Sequence, residues 1–572
     1  MLDVVIRGGE VVDGTGAARR RADVGIEGDK VVAIGTVEGE AATTIDATGK
    51  VITPGFVDVH THYDAQVFWD DAMTPSPLHG VTTAFAGNCG FTIAPLSDDP
   101  SDGEYLMKML ARVEGMPLES LRTGVPWSWK STGEYLDTLD GHVGINIGFS
   151  VGHSAIRRVV MGSEATVREA KPEELEAMKA LLRDGLDAGG LGFTSSYART
   201  HNDPDGNMVP SRYASTDELV ELARVCGEFE GTALEIIPMV GPQFEPWAVQ
   251  LMTDMSAAAQ RPINWNVMAV TAGNLADCEG KLEAGTYAAK HGARVVALTI
   301  PIAFTLRLSF RAGFVLDAMP NWEKVMLLPL DQKLAVFRDP EQRKALNDAA
   351  QSEANPMRTL AQWERLRIFD VFAPENEQYR GKTVGEIAEA EGRDPWDVLT
   401  SIAIADDLNT GFGTTPLPES ADDWKARVQV WRDRRALIGA SDAGAHLDMF
   451  STANYATRFL AAVRDHSLMP LEEAVQLITQ VPAELYGLKG RGVVREGHQA
   501  DLAVFDPATV DSEPVAMQYD LPGGAGRLFA DAIGVSDVLV NGTPVVRDGA
   551  LTTNRTGTVL RSGRDTTNGA MS

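Results

Sequence analysis

The chain has 572 residues, 44% of them hydrophobic and 23% charged, a balance that fits a globular protein and excludes disordered and fibrous classes. Lys plus Arg number 51 against 80 for Asp plus Glu, a net charge of −29, which argues against nucleic acid or anionic lipid as a partner because both require a basic face. Three cysteines (Cys89, Cys226 and Cys278) are too few for a disulfide framework, and no run of about 18 apolar residues occurs. The expectation is a cytoplasmic protein without a membrane span, acting on a small molecule.

Within residues 3–55, DVVIRGG, DVGIEG, KVVAIG and TTIDA are short β-branched runs, each ended by Gly, Asp or Thr. The opening residues alternate apolar and polar positions and lack a charged segment followed by an apolar one, so they read as strand rather than leader peptide. The same texture returns in ADLAVFD at 500–506 and SDVLVNGTPVVRDG at 536–549, the latter predicted to be a hairpin turning at Asn541 and Gly542. Two β-rich ends around a different middle predict one small sheet domain built from residues 1–55 and 485–555.

Residues 56–484 alternate short apolar strands with amphipathic helices. The strand candidates are GFVDVH, TTAFAGN, INIGFSV, LGFTSS, ALEIIP, PINWNVM, VVALTIP and RALIGASD, and helical stretches such as PEELEAMKALLRDGLDAG and STDELVELARVCGEFEG lie between them. Eight strands alternating with helices predict a closed parallel barrel or a doubly wound sheet. Residues 305–395, rich in Phe, Trp, Pro and charge, read as an insertion over the barrel mouth, and 556–572 as a mobile tail.

Three motifs carry chemistry. In PGFVDVHTHYD, His60 and His62 are separated by one residue at a strand end, so both side chains leave the same face and can hold one divalent cation. Pro54 and Gly55 before the strand and Asp64 after it favour a built site. Cys89, in FAGNCGF, ends the next apolar strand, where a thiolate can ligate or bridge metal ions and where a buried thiol can equally be a small hydrophobe. In IGASDAGAHLDMF, Asp442 sits among small residues, placed either as a general base for an activated water or as the cap of a following helix.

Together these motifs resemble the amidohydrolase superfamily, and more narrowly its N-acyl-D-amino-acid deacylase group. The likeness runs from IRGGEVVDGTG through HTH, GNCGF, GHSAIRRVVMG, GLGFTSS, GKTVGEIAEAEGRDPWDV and SDAGAH to VPAELYGLKGRGVVREGHQADLAVFD and VNGTPVVRDG. It implies an α/β fold, a (β/α)8 TIM-type barrel with a β-sandwich formed by both chain ends. It also implies one or two divalent metals per chain, zinc first among them, with His60 and His62 as ligands, Cys89 as ligand or bridge, and Asp442 as base and ligand. A homo-oligomer is a further implication. The sequence departs from the group at strands five and six, where the group carries histidines. Glu235 stands at or beside the first position, and Asn264 and Asn266 adjoin the second. Glu is a credible ligand, whereas the two asparagines suit substrate or backbone hydrogen bonds better.

The loop after strand four, YARTHNDPDGNMVPSRYAS, combines Arg199, His201 and Arg212. His201 is a candidate ligand or donor to a substrate oxygen, and Arg212, Arg199 or Arg157 a candidate clamp for a substrate carboxylate. His153 after strand three points by position to the same mouth, and His446, four residues after Asp442, is placed to line the pocket or orient the base. The expected activity is hydrolysis of a linear amide, an N-acyl-D-amino acid or related N-acyl compound. A cyclic amide, carbamate or ester on the same scaffold, or a non-catalytic binding protein, are the alternatives.

Overall fold

Eight buried parallel strands position everything that follows. The computed structural model describes residues 1–311, 314–355, 357–414 and 419–571. In chain order the strands are β1 (Phe56–Asp58), β2 (Val81–Ala86), β3 (Asn146–Phe149, continued by Val151–Gly152) and β4 (Gly192–Ser196). They continue as β5 (Ala233–Ile237), β6 (Ile263–Met268), β7 (Val295–Thr299) and β8 (Ala436–Ile438). Each pairs in parallel with the next, from Val57 opposite Thr83 to Leu298 opposite Leu437. Past their C-terminal ends, Thr61 bridges Ala443 in parallel, and the Asp58 carboxylate accepts the Ser441 N–H at 3.4 Å, which brings β8 back to β1. The arrangement is a TIM-barrel-like α/β fold.

The strands are covered on both faces: β2 and β4 are buried at every position, polar Thr and Ser residues included. Helices cover the outer face. In Pro172–Asp187, Met178, Leu182 and Leu186 recur every fourth residue on the buried side, and Pro172 opens the first turn, where its missing N–H costs nothing. In Thr216–Cys226, Ser215 caps the helix by accepting the Glu218 N–H, and Leu219, Leu222, Ala223 and Cys226 face inward.

The chain ends share one sheet. Val51–Pro54 pairs antiparallel with Leu502–Phe505, which pairs with Val535–Val540, and that strand turns at Asn541 and Gly542, both with positive φ, into Thr543–Arg547. A second sheet from residues 2–46 packs on it through Val4, Ile6, Val24, Ile26, Leu502 and Leu539.

Two segments differ from their sequence reading. The insertion does not stop at 395, because Gly411–Thr414 is the middle strand of its three-stranded sheet, between Leu306–Leu308 and Arg367–Asp370. Phe412 of that strand packs into the insertion's own core with Phe310, Trp322, Phe337, Trp363 and Trp396. The segment expected to be a mobile tail is packed: Val559–Leu560 pairs in parallel with β3, and buried Thr566 donates to the Gly231 carbonyl at 2.7 Å.

Candidate metal centre

The candidate side chains leave the C-terminal ends of β1, β2 and β8. Thr61 N–H and Oγ1 both bond the Phe85 carbonyl, and Asn88 Nδ2 donates to the carbonyls of Thr61 and Phe85 at 3.1 Å each. The HTH segment and the end of β2 are thereby stitched together. Asp64 accepts the Gly87 N–H at 3.1 Å, holding the turn that presents Cys89. Gly87 is obligatory there: its φ is +77°, and a Cβ would lie 2.6 Å from the Ser150 carbonyl oxygen. On the β8 side, His62 N–H donates to Ala443 O at 2.7 Å and Asp442 N–H to His60 O at 3.1 Å.

These ties make four residues converge. His60 Nε2 and His62 Nε2 lie 3.5 and 3.2 Å from Asp442 Oδ1, and Cys89 Sγ lies 3.6 and 3.9 Å from the same two nitrogens. Glu114, which the sequence reading did not single out, joins them, with Oε2 3.6 Å from His62 Nε2 and 3.8 Å from His446 Nε2. Among the described residues, His60, His62 and Cys89 form one group able to hold a cation, and His62, Glu114 and Asp442 another. Cys89, Asp442 and His446 all have φ between +49° and +56°, a region side-chain-bearing residues rarely adopt and one that clusters at functional sites.

The electrostatics call for a cation. Burial pushes the Cys89 thiol well above its ordinary range, and the nearby Glu235, Glu114 and Asp442 carboxylates push it further. Burial raises Glu114 as well, reinforced by Asp442, Asp64 and Glu235, and it raises Glu235 to about 7 against the pull of His60. Asp442 goes the other way: burial opposes its ionisation, but hydrogen bonds from His60 and His62 with the charges of His62 and His446 hold it well below the carboxylate range. Among the described residues, the ion-pair partners of Asp442 and Glu114 are imidazoles, not Arg or Lys. Buried carboxylates and a thiol around two imidazoles fit a divalent cation, which would stabilise the thiolate and the acids together.

The other expected residues fall into four groups. His446 lines the site, and His201 packs beside it, with Nδ1 2.8 Å from Ser196 Oγ and its ring 5.1 Å from Phe91; burial and the nearby His446 and His62 lower its pKa to about 3. Glu235 falls in neither ligand group, and its two oxygens accept from the Cys89 N–H at 2.7 Å and from the Asn266 side-chain amide. Asn266 in turn accepts from Asn264 Nδ2 at 3.1 Å, and Asn264 Oδ1 accepts from Tyr486 at 2.7 Å, so both asparagines belong to a buried chain behind Glu235 rather than to a substrate surface. His153 and Arg157 are turned away from the mouth. Both are fully buried: His153 bonds Ser195 and Glu218 at 2.8 Å each, while Arg157 grips both oxygens of Glu218 at 2.5 and 2.6 Å. Arg212 braces its own loop, donating to the carbonyls of Arg199 and His201 and to Asn202 Oδ1.

One signal for Glu114 was present. It follows the last turn of the helix Pro100–Val113, where a negative charge opposes the helix dipole and a basic residue is favoured. A cavity of about 780 Å³ opens beside it, lined by Gly115, Arg112, Arg307, Met449, Asp448 and His446.

Imidazoles, a thiol and carboxylates at the strand ends of a TIM-barrel-like fold define a metal-dependent hydrolase type of site. The amidohydrolase family model matches residues 43–546, and the chain belongs to that family. It is accordingly a hydrolase of carbon–nitrogen bonds other than peptide bonds. Among its relatives, D-aminoacylase of Alcaligenes xylosoxydans xylosoxydans is 26% identical over 98% of this chain and 97% of that protein. N-acyl-D-glutamate deacylase of the same organism is 27% identical over 98% and 96%. A solved D-aminoacylase with a binuclear metal center superposes with a TM-score of 0.66 at 26% identity, covering 98% of this chain and all of that one. An N-acyl-D-glutamate deacylase from Bordetella bronchiseptica, complexed with zinc and a phosphonate inhibitor, gives 0.64 at 24% identity and bears on the fold alone. Among the described residues, no helix is long and apolar enough to cross a membrane.

Proposed function

We propose that the chain hydrolyses the amide of an N-acyl-D-amino acid or a related N-acyl compound. The convergence of His60, His62, Cys89 and Asp442 on one point carries this reading, and the similarity to D-aminoacylase and the N-acyl-D-glutamate and N-acyl-D-aspartate deacylases gives the substrate class. His60, His62 and Cys89, with Asp442 alongside, would hold a divalent cation, zinc by its ligand chemistry. A cation held there would supply a water of lowered pKa and polarisation of the scissile carbonyl. Asp442, ionised and anchored by both imidazoles, takes the proton of the attacking water and returns it to the leaving nitrogen. His201, with Nδ1 held by Ser196, presents Nε2 to the carbonyl oxygen as it gains negative charge. In the cavity, Arg112 is ion-paired with Asp317 and Arg307 with Asp370, whereas Arg311 is exposed at the rim and suits the substrate carboxylate.

The same reading takes β1–β8 as a closed (β/α)8 barrel spanning residues 56–484. It takes the two end sheets as a β-sandwich from residues 1–55 and 485–555, supported by the Thr61–Ala443 bridge and the shared apolar core. Three unpaired, buried cysteines support the cytoplasm as its compartment.

The test is Asp442→Asn assayed on N-acetyl-D-methionine, its L-isomer and a lactam. Turnover of the D-isomer falls by about three orders of magnitude, while fold and the metal held by His60, His62 and Cys89 stay nearly unchanged. Retained turnover removes Asp442 as base, and preference of the wild type for the lactam removes the linear substrate.

A further inference from the structure

We propose that Glu114 and His446, with the outer oxygen of Asp442, hold a second divalent cation on the mouth side of the centre. This rests on the reading of His60, His62, Cys89 and Asp442 as the inner site. The two oxygens of Asp442 face different partners. Oδ1 lies 3.5 and 3.2 Å from His60 and His62, whereas Oδ2 lies 3.7 Å from His446 Nε2. Glu114 Oε2 lies 3.8 Å from the same His446 nitrogen, and Glu114 and Asp442 share with His62 a group whose ligand atoms lie within 4.8 Å of one another. Oδ2 would thus serve the outer pair while Oδ1 stays with the two inner imidazoles.

The outer pair is built as a unit. His446 N–H donates to the Glu114 carbonyl at 2.5 Å, so the main chains of the two residues move together. Gly115 between Glu114 and the following loop takes φ +59°, and a Cβ there would press on His446 Cα at 3.3 Å. Glu114 is also a costly residue to keep without a cation. Its side chain is 4% exposed, it sits at the C-terminal end of a helix, and its ion-pair partners are the imidazoles of His62 and His446. On the opposite side, toward β5 and β6, Glu235 is already engaged by the Cys89 N–H and by Asn266, and Asn264 by Tyr486. The Glu114 and Asp442 carboxylates, which face imidazoles instead, lie on the side of the cavity. Two carboxylates and one imidazole suit Mn²⁺ or Zn²⁺.

Full-length protein stripped of metal and titrated with Zn²⁺, and separately with Mn²⁺, tests this by counting ions bound at equilibrium. The wild type takes up two ions per chain. Glu114→Gln, which keeps the side-chain volume, and His446→Ala each weaken the second by about tenfold or more, a loss typical of perturbed metal shells, and leave the first unchanged. Mn²⁺ spectra show spin coupling between two ions in the wild type and lose it in both variants. If both variants keep the wild-type count and affinities, or if the wild type binds a single ion that neither variant perturbs, the outer site does not exist. His60→Ala separates the two levels: if it too leaves binding intact, the inner site fails, and if it alone abolishes binding, only the outer one does.

Discussion

The main-chain N–H of Cys89 donates to the Glu235 carboxylate at 2.7 Å across 146 residues of sequence. Through that bond β5 fixes the turn that carries the thiol. Glu235 is itself oriented by the chain Tyr486–Asn264–Asn266, each member of which is buried. Glu235 thus acts on Cys89 as a positioning residue.

Glu235→Gln follows from this. The amide keeps one acceptor oxygen where two are used, so either the Cys89 N–H or the Asn266 amide loses its partner. Metal affinity and kcat both drop about 10–100-fold, the range for residues that orient ligands, while KM for N-acetyl-D-methionine changes little. A ligand role would instead remove bound metal outright, which elemental analysis of the variant detects.

Arg157 provides the contrast, a residue expected at the substrate and found in the interior. Removing its guanidinium in Arg157→Met leaves the Glu218 carboxylate buried with His153 as its remaining partner. Breaking one side of a buried pair costs about 3–5 kcal/mol, so thermal and urea unfolding shift clearly. KM is unaffected in the folded fraction. A raised KM with unchanged stability would return Arg157 to the substrate site.

The difference between these residues explains how much of the site could be read from sequence. His60 and His62 were legible because a strand places residues two apart on one face, and Cys89 and Asp442 because each ends an apolar run. Eight strands were legible for the same reason, as short buried runs between helices. Glu114 lies across a whole helix from Cys89, so no local pattern links it to the histidines; only its place against the helix dipole marked it. The pairing of His153 and Arg157 with Glu218 spans about sixty residues, and periodicity says nothing of such a partner. The closing segment looked mobile because it is short and polar, yet two apolar residues, Val559 and Leu560, suffice to dock it on β3.

A last prediction concerns pH and a histidine outside the candidate metal centre. His79 is fully buried, Nδ1 facing Thr457 Oγ1 at 2.8 Å and Nε2 facing the Ala530 carbonyl at 3.0 Å, so it joins the turn Ser76–His79 to the helix Tyr455–Asp465 and to the C-terminal segment. Burial lowers its pKa from 6.5 to about 4, against the carbonyl's pull. Between those values the unfolded chain binds a proton that the native chain refuses. Stability from neutral His79 is therefore complete above pH 6.5 and lost as the pH falls to about 4, by about 3 kcal/mol for a shift of this size. Carboxylates titrate in the same window, so the quantity to measure is the difference between wild type and His79→Gln in urea unfolding at each pH. That gap narrows by about 3 kcal/mol from pH 7 to pH 4, because the variant has no proton to take up. A gap constant with pH would mean that His79 titrates alike in the folded and unfolded chains, and a gap that widens toward pH 4 that the Thr457 and Ala530 contacts hold the protonated ring.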